Sequence, residues 1–322
     1  MLTYPATTAS VVEPRLPVRP VARRLGWAVA VVWLVLTACF ALLWVIPDTR
    51  FVGFREVEMG LAATDRIGGG PVSAYVDWLS ALVTVQWGAS TYFDASVRSL
   101  YVRRLPITAV YVVPAAVVAV VVGTLLSTYA ATNRDGRLSR LLAATGVVGL
   151  TVPAFLLATA VFTYMTRTLG WVRIYDPELG LWHTQNLLRL QVPGVIVALG
   201  LIGVQVRHVR SETVEHLQRP FVKTARAKGA GRWRVATHVF RNAWPSVASL
   251  VVGESLGVLL LATVVVETQL NVPGVGVVVF SGFASGDPMV SAVALVGTVV
   301  AGVTGTLVVS LLRSVFDPRV DR

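Results

Sequence analysis

The sequence predicts an all-α integral membrane protein that crosses the bilayer six times with both termini in the cytoplasm. Three observations predict it. Residues AVILMFWYC make up 55% of the 322 and charged residues only 14%, against about 25% charged in a soluble domain. The apolar residues gather in runs of about 17 to 28, the length a helix needs to cross a hydrocarbon core of about 30 Å. The 28 Lys and Arg fall between those runs, where their distribution sets the orientation.

Composition also excludes classes. A net charge of +11 would suggest nucleic acid in a soluble chain. Here the charge sits in loops between apolar spans, and topology accounts for it without nucleic acid. Cys39 is the single cysteine, so no intrachain disulfide can form; inside an apolar run a thiol packs as a small hydrophobe.

Residues 1–24 are polar, with Pro5, Pro14, Pro17 and Pro20, and read as a disordered tail. Arg15, Arg19, Arg23 and Arg24 hold it inside. Leu25 to Ile46 carries no charge for 22 residues. A signal-peptide core is only about 7–15 residues, so 25–47 is a retained first span. Residues 48–104 are expected outside, with six acids balancing six arginines. Within them Gly68-Gly69-Gly70-Pro71 marks a turn. Tyr75, Trp78, Leu79, Leu82 and Val83 then recur at helical spacing. That spacing predicts an interfacial helix, its aromatic rings at headgroup level. A surface loop with a stray helix is the plainer alternative.

The second span is expected at 105–132, with Pro106 and Pro114 inside it. Arg134, Arg137 and Arg140 place the next loop inside. The third span, 141–166, is interrupted at Thr151-Val152-Pro153. Proline frees a carbonyl that protein or a water-filled cavity must satisfy, so Pro153 is a packing kink or a solute contact. Residues 167–189 are nearly neutral, and Trp171, Tyr175 and Trp182 suit an outer interface. The fourth span, 190–206, is short and glycine-rich, which permits close helix approach. A basic loop, 207–244, follows. The fifth span is 245–266 and the sixth 289–312. With both ends inside, inner segments hold 19 of the 28 Lys and Arg and outer segments 9, the bias expected of the positive-inside rule.

The basic loop has more design than topology requires. Thr224, Ala225 and Ala227 are small, and Gly229-Ala230-Gly231 would end a helix. Trp233, Val235, Val239, Phe240 and Trp244 then recur at helical spacing among Arg232, Arg234 and Arg241. The pattern predicts a short helix, a glycine turn and an amphipathic helix along the membrane.

Thr224-Ala225-Arg226-Ala227-Lys228-Gly229, with Arg241-Asn242-Ala243 and Pro245, resembles the EAA loop of ABC-importer permeases. The wording is closest to the B-type permease of the dipeptide and oligopeptide (peptide/nickel) branch. Of the three residues that name the loop, only Ala225 fits; Lys223 and Thr224 depart. The resemblance extends to the Arg-Arg-Leu start and Ile46-Pro47 end of the first span, to Trp87-Gly88 and Tyr92, and to the Pro153-x-Phe155 pair. It also covers Glu267 with Val272-Pro273-Gly274-Val275-Gly276, and the ending Phe316-Asp317-Pro318-Arg319.

The resemblance implies the type I ABC-importer transmembrane fold and a permease subunit moving dipeptides or oligopeptides. It implies a heterodimer with a second permease, two ATPase subunits and an extracytoplasmic substrate-binding protein, all in or at membrane lipid. ATP and Mg would sit on the ATPases, with no cofactor on this chain. Thr224, Ala225, Arg226, Ala227, Lys228, Gly229, Arg241 and Asn242 would couple to the ATPase. Pro153 and Phe155 would lie beside the translocation path, and Glu267 is a further path candidate. Relatives of the same architecture carry nickel, glutathione or other small solutes, and this remains an alternative.

Nothing in the chain argues for catalysis. It has no GxxxxGK[ST] phosphate loop and no GxSxG nucleophile elbow. His183, His208, His216 and His238 form no metal-ligand grouping and read as loop residues. Glu254 is the one acid inside an expected span. An intramembrane carboxylate faces a cavity or a partner, so Glu254 either lines the path and draws a peptide ammonium or is hydrogen-bonded between helices. An ATP-independent secondary transporter would need repeat symmetry and ion-coupling acids near the midplane; one such acid and no clear repeat are present. A non-transporting scaffold would not need the small-residue loop.

Overall fold

A computed structural model of the chain describes residues 18–45, 71–90, 92–132, 136, 154–171, 173–231, 234, 235, 237, 257, 259–285 and 287–316. Pro153, Arg241, Asn242 and Glu254 lie outside the described residues, as do the tail up to residue 17 and the ending from residue 317.

The described residues are mostly helical. Helix α1 is Val18–Val45 and α2 is Pro71–Val83. Two short strands follow, β1 (Ala89–Ser90) and β2 (Ala95–Ser96), paired antiparallel as Ala89 with Ser96 and Ser90 with Ala95. The long α3, Val97–Thr132, leaves β2 directly. After it come α4 (Ala154–Leu169), α5 (Thr184–Arg189), α6 (Gln191–Leu217) and α7 (Pro220–Ala227). The last three are α8 (Leu259–Leu270), α9 (Val275–Ser285) and α10 (Pro288–Phe316).

Among the described residues, three stretches are long and apolar enough to cross a membrane: Val97–Ala131, Thr184–Val206 and Met289–Leu307. The pair α8 and α9 makes a fourth if it counts as one broken span, bent by 86°. Shorter apolar stretches lie in α1 (Gly26–Ala38) and in α4.

Several helices reach beyond the expected spans, α3 and α6 the furthest. Helix α3 begins eight residues before Leu105 and runs unbroken through Pro106 and Pro114. At 36 residues it is roughly 54 Å long, longer than a hydrocarbon core. Helix α6 continues from Val206 to Leu217, so the first part of the basic loop is helix. Its Pro193 lies in the first turn, where a missing N–H costs nothing.

Among the described residues the core has two main parts. One joins Tyr111, Ala115 and Ala119 of α3 to Val197 and Leu201 of α6, with Val266 and Leu270 of α8. Alanines along α3 let α6 approach closely, and these two helices share the most extensive interface. The other part joins Phe40 of α1, Trp78 of α2, Val97 and Leu100 of α3, and Met289 and Val290 of α10.

This second cluster corrects the reading of α2. Trp78 is fully buried, its ring 5.5 Å from Phe40 and 6.3 Å from Tyr75. The Tyr75 hydroxyl bonds Thr37 of α1 at 2.8 Å. Of the stripe expected to meet headgroups, Tyr75, Trp78, Leu79 and Leu82 pack against protein, whereas Val83 faces outward with Val72 and Val76. Tyr175 is likewise buried, whereas Trp182 is exposed as expected.

The loop before α6 is pinned by Asn186. Its amide donates to Asp176 O at 2.7 Å and Gly180 O at 2.8 Å, and its oxygen accepts from Asp176 N at 2.9 Å. Two histidines depart from the loop reading: His208 and His216 both lie in α6, His216 buried in its last turn, whereas His183 stays in the loop and caps α5 through its Nδ1.

Candidate functional site

Two regions hold the residues singled out in the sequence. The first is α7. Pro220 opens the helix, where its fixed φ suits the first turn. Phe221 and Val222 turn inward and pack with Leu217, Ala230 and Val235, Val222 being buried. Lys223, Thr224, Ala227 and Lys228 are exposed on the other side.

The helix stops at Gly229, whose φ is +78°. A side chain is strained in that conformation, and glycine is not. Ala230 N then donates to Ala225 O at 3.0 Å, and Lys228 N to Thr224 O at 3.1 Å. The first of these is the six-to-one bond of a Schellman stop, and Ala230 supplies the apolar contact that accompanies it. The product is a two-turn knob with an apolar underside and a small, cationic outer face.

The second region is the bend between α8 and α9. Helix α8 ends with the same bond: Val272 N donates to Glu267 O at 3.0 Å, with Asn271 at φ +52°. Asparagine tolerates the left-handed region better than most residues. The Glu267 side chain then reaches the start of α9. Gly276 N donates to its Oε2 at 2.6 Å and Val277 N at 3.2 Å. Thr108 and Tyr111 of α3 donate their hydroxyls to Oε1 at 2.6 and 2.7 Å. Thr108 Oγ1 also accepts from Val275 N at 2.9 Å.

The first three N–H groups of α9, which no helical carbonyl can satisfy, are therefore all paired. A carboxylate accepting four hydrogen bonds at the positive end of a helix is well placed. The close fit needs glycine. A Cβ at residue 274 would lie 2.1 Å from Glu267 Oε1, and one at residue 276 would lie 2.7 Å from Val264 Cα.

Glu267 was expected beside the translocation path. It is instead fully buried, with both oxygens engaged inside the chain. Its partners Thr108 and Tyr111 were not singled out from sequence, though two hydroxyls three residues apart in an apolar span are a readable signal. A second carboxylate works the same way. Asp287 caps α10 through Val290 N at 3.1 Å and accepts the Ser90 hydroxyl from β1.

Phe155, the remaining described path candidate, is 45% exposed on α4. Thr159, Thr163 and Thr166 share its face, one turn apart or less, and are exposed too. Thr163 and Thr166 donate back to Thr159 O and Phe162 O, at 2.8 and 2.9 Å. Thr159 Oγ1 lies 2.7 Å from Phe155 O and 3.0 Å from Gln269 Oε1 of α8, sharing its one proton between them. With its proton turned into the helix, Thr163 offers mainly acceptor lone pairs outward, while Thr166 Oγ1 also lies 3.2 Å from Trp171 O.

Comparison with known proteins adds to this geometry. A family model described as binding-protein-dependent transport system inner membrane component matches residues 123–322. A protein of Brucella abortus (strain 2308), provisionally named a peptide transport system permease protein, is 31% identical over 252 residues, covering 76% of this chain and 78% of its own. The dipeptide transport system permease protein of Lactococcus lactis subsp. cremoris is 26% identical over 94% of this chain and 99% of its own. That of Bacillus subtilis is 28% identical over 78% and 81%.

Proposed function

This chain belongs to the family of binding-protein-dependent transport system inner membrane components, and on that premise we propose that it imports peptides. It is a multi-pass protein of the cell membrane and the permease component of a transport system. In the proposed assembly it pairs with a second permease, takes peptide from an extracytoplasmic binding protein and is driven by two ATPase subunits that carry ATP and Mg. Six spans with both termini inside put α7 in the cytoplasm, and the two-to-one excess of inner Lys and Arg supports that orientation.

The observation that carries the reading is the α7 knob. Its underside is fixed by Val222 and its end by Gly229, so it can move as one body with α6. Thr224 to Gly229 form the contact with the ATPase, together with Arg241 and Asn242. ATP binding closes the ATPase pair, the knob is carried with it, and the spans change between inward- and outward-facing states. Peptide passes between the two permeases. Pro153, Phe155 and Glu254 are proposed along that path, with the acceptor-rich face of α4 suited to a peptide's N–H and ammonium groups.

Co-purification tests the reading. An ATPase recovered with the tagged chain, and ATP-dependent uptake of a labelled dipeptide when all subunits are expressed, are the expected results. Uptake without any ATPase would contradict it. Glu254→Gln is expected to lower peptide uptake severalfold; transport at the normal rate would remove Glu254 from the path.

A further inference from the structure

Helices α1 and α10 pack along one another, yet they do not close. Between them lies a groove of about 660 Å³, lined by Arg23, Trp27 and Val31 on one side and Val303, Thr306 and Leu307 on the other. It is open because small residues stand where the helices face each other, Ala28 on α1 and Gly302 on α10. A Cβ at residue 302 would meet nothing within 4 Å. The volume falls within the range of about 300–1,000 Å³ typical of small-molecule sites.

The lining is apolar apart from Arg23 and Thr306. Trp27 stays 69% exposed. In a membrane protein the medium at such a groove is lipid, so an acyl chain fits its length. What makes the groove more than annular surface is the charge at one end. In the sequence Arg15, Arg19, Arg23 and Arg24 precede the first apolar run and Arg313 follows the last, and of these Arg23 lines the groove itself. Clusters of about 4–8 basic residues directly cytoplasmic of a span mark binding of anionic lipid.

We propose that this groove is a site for one anionic phospholipid, its headgroup phosphate on Arg23 and an acyl chain along Trp27, Val31, Val303 and Leu307. The choice of an inner-leaflet lipid rests on the cytoplasmic orientation proposed above. The lipid would fill the gap between α1 and α10 and cover the residues that line it.

The test is lipid retention by the full-length chain, expressed with its partner subunits, purified in detergent and exposed to phosphatidylglycerol or phosphatidylcholine. Wild type is expected to retain a single phosphatidylglycerol through washing and to lose phosphatidylcholine. Arg23→Gln should weaken retention about fivefold, the effect of one basic residue at a lipid surface. Gly302→Leu, whose Cβ would meet nothing within 4 Å and whose side chain would occupy the groove, should abolish it while membrane yield stays normal. Equal retention in the wild type and both variants, or equal retention of the two lipids, overturns the proposal. So does a photo-cross-linker at Trp27 that captures protein instead of lipid. Arg23→Cys probed with a membrane-impermeant thiol reagent separates the two readings. Labelling from outside would refute the orientation, while the retention results would still decide the site.

Discussion

Helices α7 and α8 end in the same way and put the ending to opposite uses. Each closes with a six-to-one bond over a left-handed residue, Gly229 in one and Asn271 in the other. At α8 the chain turns back into its own core. Glu267 is buried there and receives two hydroxyls and two backbone N–H groups. At α7 only the underside is buried, and Lys223, Thr224 and Lys228 remain exposed. The contrast separates two kinds of polar residue in a membrane protein. Those at the bend are used up in holding the architecture, and those on the knob stay exposed.

The comparison breaks most severely at Glu267. Glu267→Ala strands two N–H groups and two hydroxyls in a dry interior, each costing about 1–3 kcal/mol. We expect a loss of at least ~3 kcal/mol, seen as a sharp fall in folded protein recovered from membranes. Glu267→Gln should lie between, because one accepting oxygen is replaced by a donor that faces donors. A Glu267→Ala protein with normal recovery and thermal stability would show that the bend does not depend on the carboxylate.

Gly229→Asp should act on function instead of folding. The residue sits at φ +78° with open space around it, so the strain is about 1–2 kcal/mol and membrane insertion should survive. ATP hydrolysis should continue while uptake fails. Uptake at the normal rate would argue against coupling through the knob. Val222→Ala is milder. Removing buried methyl groups costs about 1 kcal/mol, and faster proteolysis within 220–237 at unchanged yield is the expected readout. Arg219→Ala should do least. Its ion pair with Glu215, 3.1 Å apart, has both side chains more than half exposed, and such pairs contribute about 0–1 kcal/mol. A large change in stability there would mean that Arg219 has a role beyond this pair.

The knob was legible in the sequence because its signals are local. Small residues followed by Gly229 announce a short, stopped helix, and the helix ends at Ala227. The bend was not, because its partners lie far apart in the chain. Thr108 and Tyr111 are more than 150 residues from Glu267, and their spacing within α3, though readable, does not say which distant residue they meet. Glu267 lay just past the expected fifth span and read as a path residue, while its burial depends on a helix that doubles back. Trp78 teaches the same lesson. Its spacing gave the helix correctly, but headgroup and protein both accept an aromatic stripe, and only the placement of Phe40 decides between them. Helix limits were not legible where helices outlast the apolar run, as α3 does through Arg98, Arg103 and Arg104.

Site-directed photo-cross-linking from Lys223 and Thr224 in intact membranes tests the central claim most directly. The account predicts an adduct with a nucleotide-hydrolysing subunit on the cytoplasmic side, lost when that subunit is not expressed. Labelling of either position from outside the cell, or cross-links that never trap such a subunit when it is present, would contradict it.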